Sequence, residues 1–475
     1  MISFERWKDG FLLTVEGKRV LRHASASPAI FAGTPKAGAR DLRSRGSRAP
    51  AGGQKAGESY GLEGEVGPLA WKSVGACEVI SEGPACCALR FGSGLSLRIE
   101  YASPILRMSI SSAPGPGLDS APLAGAEVSG PPAGIRLIFD ADPREKLFGL
   151  GPCPQAAAHH DVKKTRVTLE SAKLVASTVF ADSGSWIRAH FDGRLSWRFD
   201  AGKTVLESQG HCPDLAMGFS VTPLEGFASL ADCCGRPAPC IEEKAAGLPV
   251  RELLRRLLSL SFSGVGVIGI PAYGARAMWT AFGPLFVMEN GGGGSVGEKP
   301  AAIGRRLAQA DQCPPGSGKH LAGADRLAII DGCSSPAELE GVARACPDRL
   351  SRRAATIFAG LRPYHEFCRQ RWQVLGLPET VQPAVYYPGD RRLWERDDEF
   401  LYGPDLLVAP QEDGRGGPRE LVLPDDTWVH FWTSRVFPGG AVVVDAHPDR
   451  PAVFYRRDSD FARLFDTLRQ LATRL

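Results

Sequence analysis

Acidic residues crowd one short stretch of this chain: Asp390, Glu395, Asp397, Asp398 and Glu399. Two carboxyl groups held a few ångströms apart can divide the work of general acid and general base. A dense charge run is more often a solvated turn, and a solvated turn is the expectation here. His365 and Cys368 stand at i and i+3, so one helix face would carry a thiol beside an imidazole, the pairing that activates a cysteine nucleophile. Nothing in the sequence supplies an orienting partner or an oxyanion donor, so Cys–His catalysis is not expected. The adjacent His159-His160 would point to opposite faces of a strand and could not share one metal ion. Cys233, Cys234 and Cys240, with His211 and Cys212 upstream, follow no standard zinc-ligand spacing. The run Gly291–Gly294 has no Lys-Ser/Thr after it and no strand–helix frame, which a phosphate loop requires. No catalytic, cofactor-binding or metal-binding residue is therefore assigned, and no cofactor is expected.

The elements around these residues are mostly short strands between turns. Ser96-Leu-Arg-Ile-Glu-Tyr101 and Ile105-Leu-Arg-Met-Ser-Ile110 alternate apolar and polar residues, as half-buried strands do. Arg136-Leu-Ile-Phe-Asp140 and Trp197-Arg-Phe199 behave alike. The Pro- and Gly-rich stretches 33–57 and 113–134 read as surface inserts. Val250, Leu253, Leu254 and Leu257 form the apolar stripe of a helix, which runs into a short apolar strand at Ser263–Gly269. Residues 350–375 are helical by period, through Phe358, Leu361, Tyr364 and Phe367, with Pro363 either kinking the helix or starting a second one. The interval 291–319 is Gly/Pro-rich, and the chain closes on a helix over 458–475.

Composition narrows the function classes. A chain of 475 residues accommodates two to four domains, and 55 glycines with 37 prolines suit a turn-dense, mainly β protein. A net charge of +3 gives no electrostatic case for nucleic acid, and the arginines at 40, 43, 45 and 48 read as a solvated insert. The 12 cysteines include two vicinal pairs, Cys86-Cys87 and Cys233-Cys234, and no CxxC, which suits free thiols in a reducing compartment. The N-terminal residues are charged where a signal peptide needs an apolar run, and no 18-residue apolar stretch occurs. The expectation is a cytoplasmic protein without a membrane partner.

The most specific pattern lies downstream. Phe400-Leu-Tyr-Gly-Pro-Asp-Leu-Leu-Val-Ala-Pro410 is an apolar strand with a proline stop. Leu421-Val-Leu-Pro-Asp-Asp-Thr-Trp-Val-His-Phe-Trp-Thr433 adds an acidic turn and an aromatic strand before Gly439-Gly440. This closely resembles the segment after the catalytic barrel of family 31 glycoside hydrolases, the α-glucosidase and α-xylosidase group. Glu145-Lys-Leu-Phe-Gly-Leu-Gly151 resembles a signature of the same family's N-terminal domain, and Ser183–Asp192 resembles its later strands. Gly235-Arg-Pro-Ala-Pro239 resembles the linker into the barrel.

The resemblance implies a mainly β protein with an α/β remnant. Its parts would be an N-terminal β-sandwich of the galactose-mutarotase type over 1–239, a partial (β/α) barrel over 240–384, and a C-terminal β-sandwich with a terminal helix over 385–475. Family chemistry is retaining α-glycoside hydrolysis by two carboxyl groups about 5–5.5 Å apart. The nucleophile lies in a W-x-D-M-N-E motif and the acid in a W-x-G-D-N motif, and neither string occurs in this sequence. The interval 240–384 holds 145 residues, whereas a complete barrel takes about 250. Other family positions have also changed. The signature's final Glu is Pro152, the sugar-holding aspartate falls on Pro271, and an Arg and a His fall on Val287 and Glu289. In the same stretch Phe282 and Pro284-Leu-Phe286 keep the scaffold. The expectation is a catalytically inactive relative with a carbohydrate-binding or regulatory, subunit-like role, its partner an α-glucoside or α-xyloside, and with self-association or pairing to another chain. The alternative is an active α-glycosidase that uses replaced carboxylates or completes its barrel with another chain. Trp428, Phe431 and Trp432 are expected in the core, with Phe431 on the strand face opposite Trp428 and Trp432.

Overall fold

A computed structural model describes residues 2–7, 9–35, 69–83, 85–112, 132–150, 166–170, 177–191, 193–200, 202–210, 213–234, 251, 254, 255, 258, 282, 349–411, 416–447 and 449–474. These form two compact units, and the chain passes from the first to the second at Val221–Thr222. Strands dominate, as composition suggested, and every strand pairing among the described residues is antiparallel.

Among the described residues the first unit shows three sheets. A three-stranded meander joins Ile2–Trp7, Gly10–Val15 and Lys18–Ala24. A six-stranded sheet runs Arg166–Glu170, Gly193–Asp200, Lys203–Gly210, Gly134–Asp140, Ile30–Pro35, Leu69–Ser73. An eight-stranded sheet has Trp186–His190, Asp214–Gly218, Ile105–Ser111 and Ser96–Ala102 at its centre. Alternation decides which side chains go inside. Leu106, Met108 and Ile110 are buried while Arg107 and Ser109 face out, and one core joins them to Ile135, Leu137, Phe139, Trp197 and Phe199 of the six-stranded sheet. Each such side chain contributes about 1.5–3 kcal/mol on leaving water. His23 is one of the buried polar residues of this unit. Its Nε2 lies 2.7 Å from the Gly75 carbonyl and its Nδ1 accepts from the Ala29 N–H, between the rings of Phe11 and Phe91. Burial holds its pKa below the ordinary value, so it serves as a neutral cross-link.

The second unit centres on a six-stranded sheet in the order Thr380–Val381, Phe400–Tyr402, Leu406–Ala409, Ala452–Arg456, Gly417–His430, Val436–Ala446. The apolar run Leu406–Ala409 is fully buried and pairs with Ala452–Arg456. Helices Arg349–Gly360, Arg362–Leu375 and Ala462–Arg474 contribute Ile357, Leu361, Tyr364, Phe465 and Leu468 to a core shared with Phe400, Tyr402, Leu406 and Val408. Pro363 starts the second helix, near whose N-terminus a missing N–H costs nothing. That helix ends at Gly376, in the left-handed region at φ 68°, where a Cβ would also come within 2.4 Å of Ala231 on helix Pro223–Cys234. Among the described residues no helix is long and apolar enough to cross a membrane.

Trp428, Phe431 and Trp432 are all buried, as expected for core. Their facing differs from a regular strand. The strand stops at His430, and a tight turn closed by His430 N–H to the Arg435 carbonyl and Ser434 N–H to the His430 carbonyl carries Phe431 and Trp432. The two rings meet edge-on at 4.9 Å and pack with Phe282, 4.9 Å from Phe431.

Candidate functional site

The acidic stretch is not a solvated turn. Asp397 is 5% exposed and Glu399 fully buried, while Glu395 does lie in solvent. The reason is arginine from elsewhere in the chain. Arg251 and Arg255, one helical turn apart, both grip the Asp397 carboxylate: Arg251 Nε donates to Oδ1 at 2.9 Å, and Arg255 Nε and Nη2 donate to Oδ2 at 2.9 and 2.6 Å. Burial alone would raise the Asp397 pKa, but the Arg255 and Arg251 hydrogen bonds outweigh it and hold the group below the usual carboxylate range. Leu254 and Leu258 on the same helix are buried in the core, so the apolar stripe and the arginine pair dock together. Asp398 pairs with Arg419 at 3.0 Å and Arg396 at 3.1 Å, and Asp390 with Arg392 at 2.7 Å.

An arrangement of this kind anchors a loop. A retaining glycosidase needs one carboxylate available as nucleophile and one carboxylic acid aimed at the leaving oxygen; Asp390, Asp397 and Asp398 are each held by guanidinium groups instead. Asp397→Asn should therefore act on stability. It removes charge from a site that holds two arginines, one of them 59% exposed along its side chain, so the expected loss is about 1–3 kcal/mol. Urea unfolding of the variant beside the parent checks this, and an unchanged midpoint would mean the arginine clamp does not contribute.

His365 and Cys368 do share a helix face, and both are buried. His365 Nδ1 lies 2.8 Å from the Tyr402 hydroxyl. Burial, aided by Arg369 and Arg362, lowers its pKa to about 3, and burial drives the Cys368 thiol well above its ordinary range. A catalytic pair needs thiolate and imidazolium; this environment favours thiol and neutral imidazole. The neighbouring Tyr364 hydroxyl donates to the Tyr402 carbonyl at 2.8 Å and accepts from the Asp405 N–H at 2.9 Å, pinning the turn that follows the strand. Gly403 occupies that turn at φ 56°, where a Cβ would come within 2.5 Å of the Cys368 sulfur.

Cys86 and Cys87 are free thiols, and burial pushes Cys87 up to about 11. Among the described residues no group of three or more His, Cys, Asp or Glu could hold a metal ion. His159-His160, His211, Cys212, Cys240 and Gly291–Gly294 lie outside the described residues. So do the linker 235–239, the strand 263–269, and Pro152, Pro271, Val287 and Glu289. Two structural residues escaped sequence reasoning. Arg353 is 1% exposed, donating from Nε to the Ala472 carbonyl at 3.0 Å and from Nη1 to Asp449 at 2.8 Å. A cation at i in the apolar series Ile357, Leu361 was the available signal. Gln382, fully buried, has its amide nitrogen within 2.6–3.2 Å of the carbonyls of Leu393, Trp394 and Arg396.

Residues 378–459, which include Gln382, Asp397, Glu399 and Trp432, match the glycosyl hydrolase family 31 C-terminal domain. This C-terminal part of the chain is similar to family 31 glycoside hydrolases. A 120-residue segment is 39% identical to the sulfoquinovosidase of Escherichia coli (strain K12), covering 25% of this chain and 18% of that protein. A 121-residue segment is 35% identical to the sulfoquinovosidase of Agrobacterium fabrum, again over 25% and 18%. The matched segment thus spans under a fifth of either relative's length. The fold is also similar to that of a family 31 sulfoquinovosidase from E. rectale in complex with an aza-sugar inhibitor, at a TM-score of 0.57 and 12% identity over 99% of each chain. An 85-residue segment is also 29% identical to alpha-glucosidase 2 of Bacillus thermoamyloliquefaciens, covering 18% of this chain and 11% of that protein.

Proposed function

We propose that this protein is a family 31 relative that has given up glycoside hydrolysis and acts by binding a sugar or as a subunit beside another chain. The observation that carries this is the absence from the sequence of both carboxylate motifs, W-x-D-M-N-E and W-x-G-D-N. The acidic stretch offers no ready substitute: arginines hold Asp390, Asp397 and Asp398 in structural pairs, Glu395 lies in solvent, and Glu399 is fully buried. The family match at 378–459 and the packing around it support retention of a folded, family-type C-terminal part. In this reading the segment 240–384 derives from the barrel, and self-association or pairing with another chain would cover what a short barrel leaves open.

The ligand class is suggested by the relatives: a sulfonated or neutral pyranose of the α-glycoside series, with sulfoquinovose, glucose and xylose as the first probes. A thermal-shift series with these sugars and malto-oligosaccharides tests the binding arm. A ligand at a hundred times its dissociation constant stabilises the folded state by about 2.7 kcal/mol, so at least one sugar should raise the midpoint by several degrees. Midpoints flat across the series at high millimolar sugar would remove the binding arm and leave the subunit arm. Light scattering on the purified chain then reads the latter, and a monomer at all concentrations would contradict self-association.

A further inference from the structure

The strand Gly417–His430 changes partners along its length. Its last residues, Trp428–His430, pair with Ala452–Arg456, whereas Gly417–Leu423 pair only with Gly440–Ala446 among the described residues. On the other side of Gly417–Leu423, the segment 396–399 stands where a strand would. Arg396 Nη2 donates to the Glu420 carbonyl at 3.0 Å, Arg419 Nη2 donates to the Asp398 carbonyl at 2.7 Å, and the Val422 N–H donates to Glu399 Oε2 at 3.3 Å. Three hydrogen bonds, two of them made by arginine, hold the hairpin arm in place.

One of those arginines sits between two carboxyl groups. Arg396 Nε lies 3.1 Å from Asp398 Oδ1 and 3.6 Å from Glu399 Oε1, and makes a well-formed hydrogen bond to neither. Glu399 is fully buried, and its Oε1 has no hydrogen-bond partner. The charged groups facing it are Arg396 and Asp398 on its own segment and Arg419 on the strand opposite; Asp397 is turned to Arg251 and Arg255. A protonated Glu399 can tolerate that site. An ionised one, with an orphaned oxygen in a dry interior, requires a full partner, and the nearest guanidinium is already shared with Asp398 and the Glu420 carbonyl.

We propose that the Glu399 carboxyl group is a proton-operated latch: protonated, it leaves Arg396 clamping Gly417–Leu423 and its partner strand to the 396–399 segment; ionised, it draws Arg396 away from Asp398 and the Glu420 carbonyl and loosens the arm. The proton passes to solvent, and no other group changes its charge. The environment agrees with this sense. Burial raises the Glu399 pKa, Arg396 opposes and Asp398 adds, leaving it at about 8. Because the folded value lies above the ordinary carboxylate value, the stability that the clamp contributes is fully present below that ordinary value and is lost as pH rises through about 8.

Hydrogen exchange on the full chain between pH 6 and 9 tests the latch, with amides of Leu406–Ala409 and Ala452–Arg456 as internal references. After correction for chemical exchange, amides of 417–423 and 440–446 should exchange up to about tenfold faster for each pH unit below about 8, and level off above it. Glu399→Gln keeps an acceptor for the Val422 N–H but cannot ionise, so its arm should stay protected across the whole range. Asp398→Asn removes the like charge and the rival for Arg396, so its levelling-off should move to lower pH. The latch is wrong if the parent arm tracks the reference strands, if Glu399→Gln keeps the pH slope, or if Asp398→Asn levels off at the parent's pH. Should Glu399→Gln fail to fold, the parent and Asp398→Asn profiles decide.

Discussion

Replacing Trp432 with alanine is expected to destabilise the C-terminal unit by about 3–5 kcal/mol, the range for removing a buried aromatic from a packed core. The indole meets Phe431 at 4.9 Å and Phe282 at 6.0 Å, and the Arg353 guanidinium lies over it at 5.9 Å. Its Nε1–H donates to the Pro451 carbonyl at 2.8 Å, so the variant also strands an acceptor inside the protein. Arg353 loses one wall of its enclosure at the same time, while its bonds to Asp449 and Ala472 remain. Urea unfolding followed by tryptophan fluorescence measures the loss. A variant that keeps its midpoint but loses a sugar-dependent thermal shift would show the aromatic turn to be a binding surface.

Acidification should produce the second large effect. His365 and His430 have ordinary values near 6.5 when unfolded, and burial lowers them to about 3 and about 4 in the folded chain. Folded values below unfolded ones mean that the unfolded chain takes up the extra protons, so this stability is present above pH 6.5 and is lost as pH falls. At pH 5 each histidine should have cost about 2 kcal/mol, from 1.36 kcal/mol per pH unit. Glu399 acts with the opposite sign over part of this range, so the parent's pH profile alone is ambiguous. His365→Gln removes the ambiguity, since glutamine can keep a hydrogen bond to the Tyr402 hydroxyl without titrating. Between pH 7.5 and 5 the variant should lose about 2 kcal/mol less than the parent; parallel losses would mean His365 does not control the acid limb.

Much of the fold was legible because it follows from period. The alternation in Ile105–Ser111 and the unbroken apolar run Leu406–Ala409 each state which side chains are inside. Pro363 marked either a kink or a second helix, of which the structure has the second helix, and Phe400–Thr433 carried enough ordered detail to point to a family. What sequence missed was set by contacts distant along the chain. Asp397 looks solvated when read alone, and its carboxylate is held in the interior by Arg251 and Arg255, more than 140 positions upstream. Phe431 and Trp432 were given strand facings because nothing local announces that the strand ends at His430; the turn is fixed by backbone bonds to Arg435 and Ser434. Arg353 hid for a related reason: a cation within an apolar stripe reads as an exception until the Ala472 carbonyl and Asp449 appear beside it.

The central claim is loss of hydrolysis, and the most direct measurement is turnover of chromogenic aryl α-glucoside, α-xyloside and α-sulfoquinovoside by the purified chain. Neither family carboxylate motif occurs in the sequence, and a nucleophile and a general acid are each typically worth orders of magnitude in rate, so the account predicts release no faster than in buffer for all three. Turnover that scales with protein concentration and disappears on replacing a single Asp or Glu would contradict it, and would establish an active glycosidase built on replaced carboxylates.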